Sequence, residues 1–261
     1  VSVVDAHTHL GLERFIVRPI SEEKKKRPAF RDGMENRPGR LLAAMDRNGV
    51  QQAVVFPYPL AEVDSGEANR YVLEAARLHS DRLIPFVLLD GEPAAWIARG
   101  ARGFKQHFLL EPERFPLDRV YPPIAEAGLP LLAHLTTRAI VPGARAILKL
   151  APRLPLIIAH LGRCEPNTAL CVEENLLALA GLGNVFFETS TVRDPAAFRR
   201  AVELVGAERL CFGSDFPFNS YLDTDPLAVE LAAVRAAGLP AGELEQVLGG
   251  TIRRLLQGGI R

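Results

Sequence analysis

The sequence predicts an α/β chain folded as a single (β/α)8 barrel over residues 1–261, and three observations carry that expectation. Eight short apolar runs alternate with eight stretches of helical periodicity. The runs are continuously apolar rather than alternating, as in strands of a parallel sheet covered on both faces. Eight such units in about 250 residues is the repeat of a TIM barrel, and a doubly wound open sheet is disfavoured because no Gly-rich dinucleotide fingerprint follows the first run.

The elements follow in order. Val1–Val4 is an apolar run that ends in Asp5 and then His7-x-His9. In a strand, Asp5, His7 and His9 fall on one face, and two imidazoles there can grip one divalent cation. A long connection, 11–38, contains SEEKKKRPAFRDG; its charge and weak periodicity predict a solvated loop or lid. A helix is expected over 39–48, stopped by Gly49. Strands are then expected at 52–56, 83–89, 103–108, 129–134, 154–160, 184–189 and 209–213. Helices should fill 65–80 (with Ser65 as N-cap), 94–99, 117–127, 143–151, 167–180, 195–205 and 226–237. The tail, 240–256, reads as two helical pieces broken at Gly249-Gly250. GLPLLAHLTTR (128–138) echoes RLPLIIAHLGR (153–163), so two neighbouring strands should present His134 and His160 at matching heights.

Composition excludes several classes. Hydrophobic residues make up 48%, enough for a sizeable core, and 31 Lys+Arg balance 31 Asp+Glu. No basic field is available to attract nucleic acid or a membrane surface. Cys164, Cys171 and Cys211 cannot all pair within one chain and form no CxxC, which fits a reducing compartment. With neither a signal-peptide pattern nor a spanning apolar run, a soluble cytoplasmic protein is expected, with a homodimer the one assembly left open.

In a parallel barrel the C-terminal strand ends gather at one mouth, where catalytic residues collect. That mouth should receive His7 and His9 from strand 1, Lys105 and His107 from strand 4, His134 from strand 5, His160 from strand 6 and Asp215 from just after strand 8. Of the six histidines only His79 falls in a helix. Arg138, Arg163 and Arg193 follow strands 5, 6 and 7, and Arg14 and Arg18 follow strand 1. Guanidinium forks suit carboxylates, so these arginines, with the basic 24–27 stretch, suggest a carboxylate-bearing substrate.

The pieces VDAHTHL, GFKQH, LLAH, IIAHLG, FGSDFP and VLGGTIRRLL span the whole chain. Together they resemble the amidohydrolase superfamily of metal-dependent barrel enzymes. Within it they resemble the amidohydrolase-related (amidohydrolase 2) branch, which includes amino-carboxymuconate-semialdehyde decarboxylase and several lactone and ester hydrolases. The resemblance implies that His7, His9, His134 and Asp215 hold one divalent metal with an open position for water, and that His160 serves as a proton shuttle beside it. In the tail the family usually carries Asn where this chain has Thr251.

Imidazole and carboxylate suit zinc first, and manganese or iron also. A metal with an open position lowers the pKa of bound water from ~16 to ~7, and Asp215 can take the proton. In the binuclear branch of the superfamily a carboxylated lysine on strand 4 bridges two metals. Lys105 therefore stands either as that bridge or as a counter-charge to Asp215, and one metal is favoured. His107 stands between a substrate contact and a strand cap. Arg138 and Arg163 are candidate substrate-binding groups. The leading expectation is a hydrolase of amides, lactones or esters of a carboxylate-bearing small molecule; a decarboxylase with the same site is the alternative.

Overall fold

The computed structural model describes residues 2–26, 30, 33–163, 168–218, 220 and 225–258, with side chains at all of these except 137 and 168–170. Arg27 and Cys164 thus lie outside the described residues. Eight strands form one parallel sheet in chain order: β1 (Val3–His9), β2 (Val50–Phe56), β3 (Leu83–Leu88), β4 (Gly103–His107), β5 (Leu131–His134), β6 (Leu156–Ile158), β7 (Val185–Glu188) and β8 (Leu210–Cys211). The circle closes through the residues after β8 rather than through β8 itself. Ala6 N–H donates to Phe212 O and His9 N–H to Phe216 O, both at 2.8 Å, and Thr8 bridges Phe216 in parallel sense. The expected (β/α)8 barrel is the observed fold.

The helices are α1 (Glu22–Lys25), α2 (Pro38–Asn48), α3 (Ser65–Leu78), α4 (Pro93–Ala98), α5 (Leu117–Glu126), α6 (Ile140–Leu150), α7 (Thr168–Leu179), α8 (Pro195–Val205), α9 (Pro226–Arg235), α10 (Ala241–Glu245) and α11 (Thr251–Leu256). Local chemistry sets their ends. Proline opens α2, α4, α8 and α9, where the first turn has no use for its missing N–H. Gly49 ends α2 at φ 65°, turning its N–H back onto the carbonyls of Asp46 and Met45. The N-cap of α3 is Asp64, whose carboxylate accepts from Glu67 N at 2.9 Å; Ser65 is the first helical residue instead. The charged first connection holds the one-turn α1, capped by Ser21. No described helix is long and apolar enough to cross a membrane.

Two apolar layers explain why the strand sequences are continuously apolar. Alternate residues such as Leu131, Ala133, Leu156 and Ile158 face the helices and join Val72, Ile124, Ile147, Leu176 and Phe198. Their neighbours Val4, Val54, Phe86, Leu132, Ile157 and Phe186 fill the barrel interior, and Ile252 and Leu255 of α11 plug its lower end. The Thr251 hydroxyl donates to Ala207 O at 3.1 Å and ties α11 to the turn before β8. Cys211 is a free thiol buried in the inner layer, whereas Cys171 is disulfide-bonded, against the reducing compartment expected from the cysteine count.

Candidate metal centre

Both β1 histidines reach the mouth, but not by simple alternation. The β1–β2 register slips between Asp5 and Thr8, and Asp5 leaves the face expected of it. Its carboxylate turns into the β1–β8 seam, accepting from the N–H groups of His7 and Ser214 at 3.0 Å each and from Ser214 Oγ at 2.5 Å. Burial lifts the Asp5 carboxyl to about 7 against those donors. Asp5 thus pins the strand carrying the histidines to the loop carrying Asp215.

Asp215 sits in that loop at φ 60°, with its N–H donating to His7 O at 2.8 Å. Its Oδ1 lies 3.1 Å from His7 Nε2 and 3.0 Å from His9 Nε2. Donors about 2.0–2.1 Å from a tetrahedral ion stand roughly 3.3 Å apart, so Asp215 Oδ1 lies at co-ligand spacing from each of the two imidazole nitrogens. Among the described residues, the donor atoms that all lie within 4.8 Å of one another belong to His7, His160 and Asp215, a group that includes the expected shuttle His160 and neither His9 nor His134. Burial pushes the Asp215 carboxyl up, but the His7 charge and the hydrogen bonds from His7 and His9 hold it well below its ordinary range. The two imidazoles shift oppositely for a physical reason. Burial and Lys105 pull His7 down, yet it lies between the Glu188 and Asp215 carboxylates and ends raised. His9 touches only one of those carboxylates, and burial takes it down to about 4.

Strand β4 alternates cleanly. Phe104 faces the helices, while Lys105 and His107 face the interior at the mouth. Lys105 Nζ is 3.3 Å from His7 Nε2 and 4.8 Å from the Phe56 ring centre, and burial lowers its amine to about 8. His107 pairs in register with His134, their rings 4.3 Å apart, and His107 Nδ1 also accepts from Leu109 N. His134 Nδ1 is 3.0 Å from His160 Nε2. The two do not sit at matching heights on equivalent strands. β6 ends at Ile158, and His160 and Leu161 are left-handed, at φ 56° and 55°. His107, His134, His160, His7 and His9 form one continuous run of rings, with neighbouring centroids 4.3, 4.4, 5.1 and 5.4 Å apart. Burial holds His107, His134 and His160 well below the ordinary imidazole pKa, hence neutral and able to donate lone pairs.

Glu188, the last residue of β7, belongs to this cluster and the sequence reading missed it. It is fully buried, and its Oε2 lies 2.7 Å from His7 Nδ1. The signal was present: an acidic residue closing the apolar run VFFE at a barrel mouth. Gly213 makes room for it, since a Cβ there would collide with the Glu188 carboxylate. Phe56, Tyr58 and Phe218 wall the His9 side, with centroids 4.6, 5.6 and 4.8 Å from its ring.

The arginines diverge. Arg163 is half-buried at the mouth, donates to Thr191 O at 3.3 Å, and its charge helps to depress His134 and His160. Arg193 turns away to Glu230, at 2.6 Å. Arg138 is exposed on a 3₁₀ turn, Arg18 donates to Ala61 O, and Arg14 lies over Phe15. Lys24 is engaged by Glu62 at 2.6 Å.

A family model described as amidohydrolase matches residues 4–258. The chain belongs to the amidohydrolase family. Members of this family are enzymes, hydrolases or decarboxylases. Among solved structures, this amidohydrolase resembles a candidate 2-pyrone-4,6-dicarboxylic acid hydrolase from Pseudomonas putida at 20% identity, covering 100% of this chain and 99% of that one, with a TM-score of 0.74. A 5-carboxyvanillate decarboxylase from Sphingomonas paucimobilis matches at 16% identity, with 98% and 99% covered and a TM-score of 0.70. A zinc-bound amidohydrolase from Burkholderia multivorans matches at 17% identity, with 98% and 99% covered and a TM-score of 0.76. At these identities the likeness is one of fold. No curated protein matches the sequence.

Proposed function

We propose that this chain is a metal-dependent hydrolase that cleaves an amide, lactone or ester of a carboxylate-bearing small molecule. The observation that carries the reading is the single Asp215 oxygen standing 3.0 and 3.1 Å from two buried imidazole nitrogens. His7, His9 and Asp215 would hold one divalent cation, zinc ahead of manganese or iron. The fourth donor would be His134, with His160 beside it relaying protons. When bound, the metal supplies a polarised carbonyl and an acidified water. Asp215, held as a carboxylate, takes the proton of the attacking water. Lys105 neutralises part of the carboxylate charge of Asp215 and Glu188, and His107 lines the pocket. Arg163 receives the substrate carboxylate, with exposed Arg138 further out; the aromatic wall around His9 excludes water. A decarboxylase is the second reading, because the same donors would hold a carboxylated substrate and because the fold is shared with a 5-carboxyvanillate decarboxylase.

The test is elemental analysis together with turnover of a panel of lactones, esters, amides and aromatic acids. One metal equivalent and proton release without carbon dioxide are expected. Carbon dioxide release selects the second reading. Two equivalents with a carboxylated Lys105 replace the single-metal site, and no metal at any loading removes the proposal.

A further inference from the structure

Glu188 receives four hydrogen bonds with no solvent access. His7 Nδ1 approaches Oε2 at 2.7 Å, His160 N donates to Oε2 at 3.2 Å, Ser190 Oγ donates to Oε2 at 3.0 Å, and Ser190 N donates to Oε1. An ionised carboxylate only accepts, so each of these partners must donate. His7 therefore carries a proton on Nδ1, and its Nε2 is the atom beside Asp215. The Ser190 hydroxyl has one proton and gives it to Glu188. Toward His160 Nδ1, 2.8 Å away, it can only accept. The Ser190 carbonyl, 3.3 Å from the same nitrogen, can also only accept. The Thr191 hydroxyl, 3.3 Å from the same nitrogen, can accept as the Ser190 oxygens do, which places the His160 proton on Nδ1 and a lone pair on Nε2, toward His134.

We propose that Glu188 is the positioning residue of the centre, fixing the Nδ1–H form of His7 directly and of His160 through Ser190, so that His7 presents Nε2 beside Asp215 as its ligating atom and His160 turns its Nε2 toward His134. The inference rests on the metal reading for its purpose but not for its geometry. One carboxylate at the end of β7 organises rings from β1 and from the turn after β6, and hydrogen-bonded partners of this kind raise the basicity of a ligating imidazole. Glu188→Gln keeps an acceptor for His7 but removes the charge, and its amide must aim a donor at another donor.

Two measurements test this. Two-bond ¹H–¹⁵N spectra of the histidine-labelled apoprotein, at about pH 9 and so above the ordinary imidazole range, should show a proton on Nδ1 of both His7 and His160. Either Nδ1 without its proton overturns the proposal. Zinc affinity, read by chelator competition, should fall ~10–100-fold in Glu188→Gln, the usual cost of losing such a partner. It should stay unchanged in Glu230→Gln, a buried carboxylate in the same part of the barrel that touches no imidazole. Equal affinities in the two variants overturn the proposal. Should Glu188→Gln fail to fold, Glu188→Asp keeps the charge and withdraws it by one methylene; it should still lose at least ~10-fold, and wild-type affinity would overturn the inference. If the wild-type protein binds no zinc while both Nδ1 protons are present, the metal reading fails and the positioning stands.

Discussion

At the residue scale, Asp215 carries the most chemistry per atom. It is 14% exposed, facing the mouth, while His7 and His9 beside it are almost fully covered. Its carboxylate can hold a cation and accept a proton; an amide keeps the shape but cannot accept. Asp215→Asn should lower kcat by ~10²–10⁴, the usual cost of losing a positioned base, and leave the fold intact. His160→Asn should also lower kcat but leave the metal content near one equivalent. Steady-state kinetics with metal analysis checks both, and near wild-type turnover in Asp215→Asn would make this aspartate a turn residue. Arg163 supports a second expectation. Because its charge already bears on His134 and His160, Arg163→Met should reduce kcat/KM for an acidic substrate far more than for its neutral analogue, and equal losses would show that it does not read charge.

At the element scale, much of the fold was legible because both faces of each strand are covered, so eight apolar runs stand out against amphipathic helices. What escaped was local geometry that depends on partners distant in sequence. The slip in β1 sends Asp5 into the seam, because Ser214, far along the chain, supplies its donors. His160 reads as a strand residue, yet the strand stops before it and the ring is aimed by a left-handed turn. Glu188 looks like an ordinary strand-end acid until the fold brings His7 to it. Left-handed residues other than glycine gather at these ends: His160, Leu161, Thr191, Arg193 and Asp215. Such strain of about 1–3 kcal/mol each persists only where the surroundings over-determine it. For the turn after β7, Glu230 of α9 does so, accepting from Thr191 N at 2.9 Å and from Arg193 at 2.6 Å. Burial outweighs Arg193 and lifts the Glu230 carboxyl from 4.5 to about 7. Between those values the folded chain keeps a proton that the unfolded chain has lost, so its contribution to stability declines as pH rises through that window. Urea unfolding across the window should show this slope in the wild type and a flatter one in Glu230→Gln; identical slopes would assign the dependence to other groups.

At the scale of the whole molecule, the weak place in the barrel is the seam between β1 and β8, and the candidate metal centre lies across it. β8 is two residues long, and closure depends on the stretch after it, through Ala6–Phe212, His7–Asp215 and His9–Phe216 backbone bonds and the Asp5–Ser214 clamp. A cation held by His7 and His9 on one side and Asp215 on the other would staple that seam, and a ligand that binds only the folded state adds RT ln(1 + [L]/Kd) to its stability. At a hundredfold excess over Kd this is ~2.7 kcal/mol, and for a chain of this size each kcal/mol moves Tm by about 2–4 °C. Removing the metal with a chelator should therefore lower Tm by roughly 5–10 °C, reversibly on adding zinc. Hydrogen exchange should quicken first at the amides of Ala6, His9 and Asp215, which make the closing bonds, and little in β4 and β5 on the far side of the barrel. A protein that demonstrably loses its metal with no change in Tm or in exchange at these three amides would place the bound ion away from the seam, and with it away from His7, His9 and Asp215.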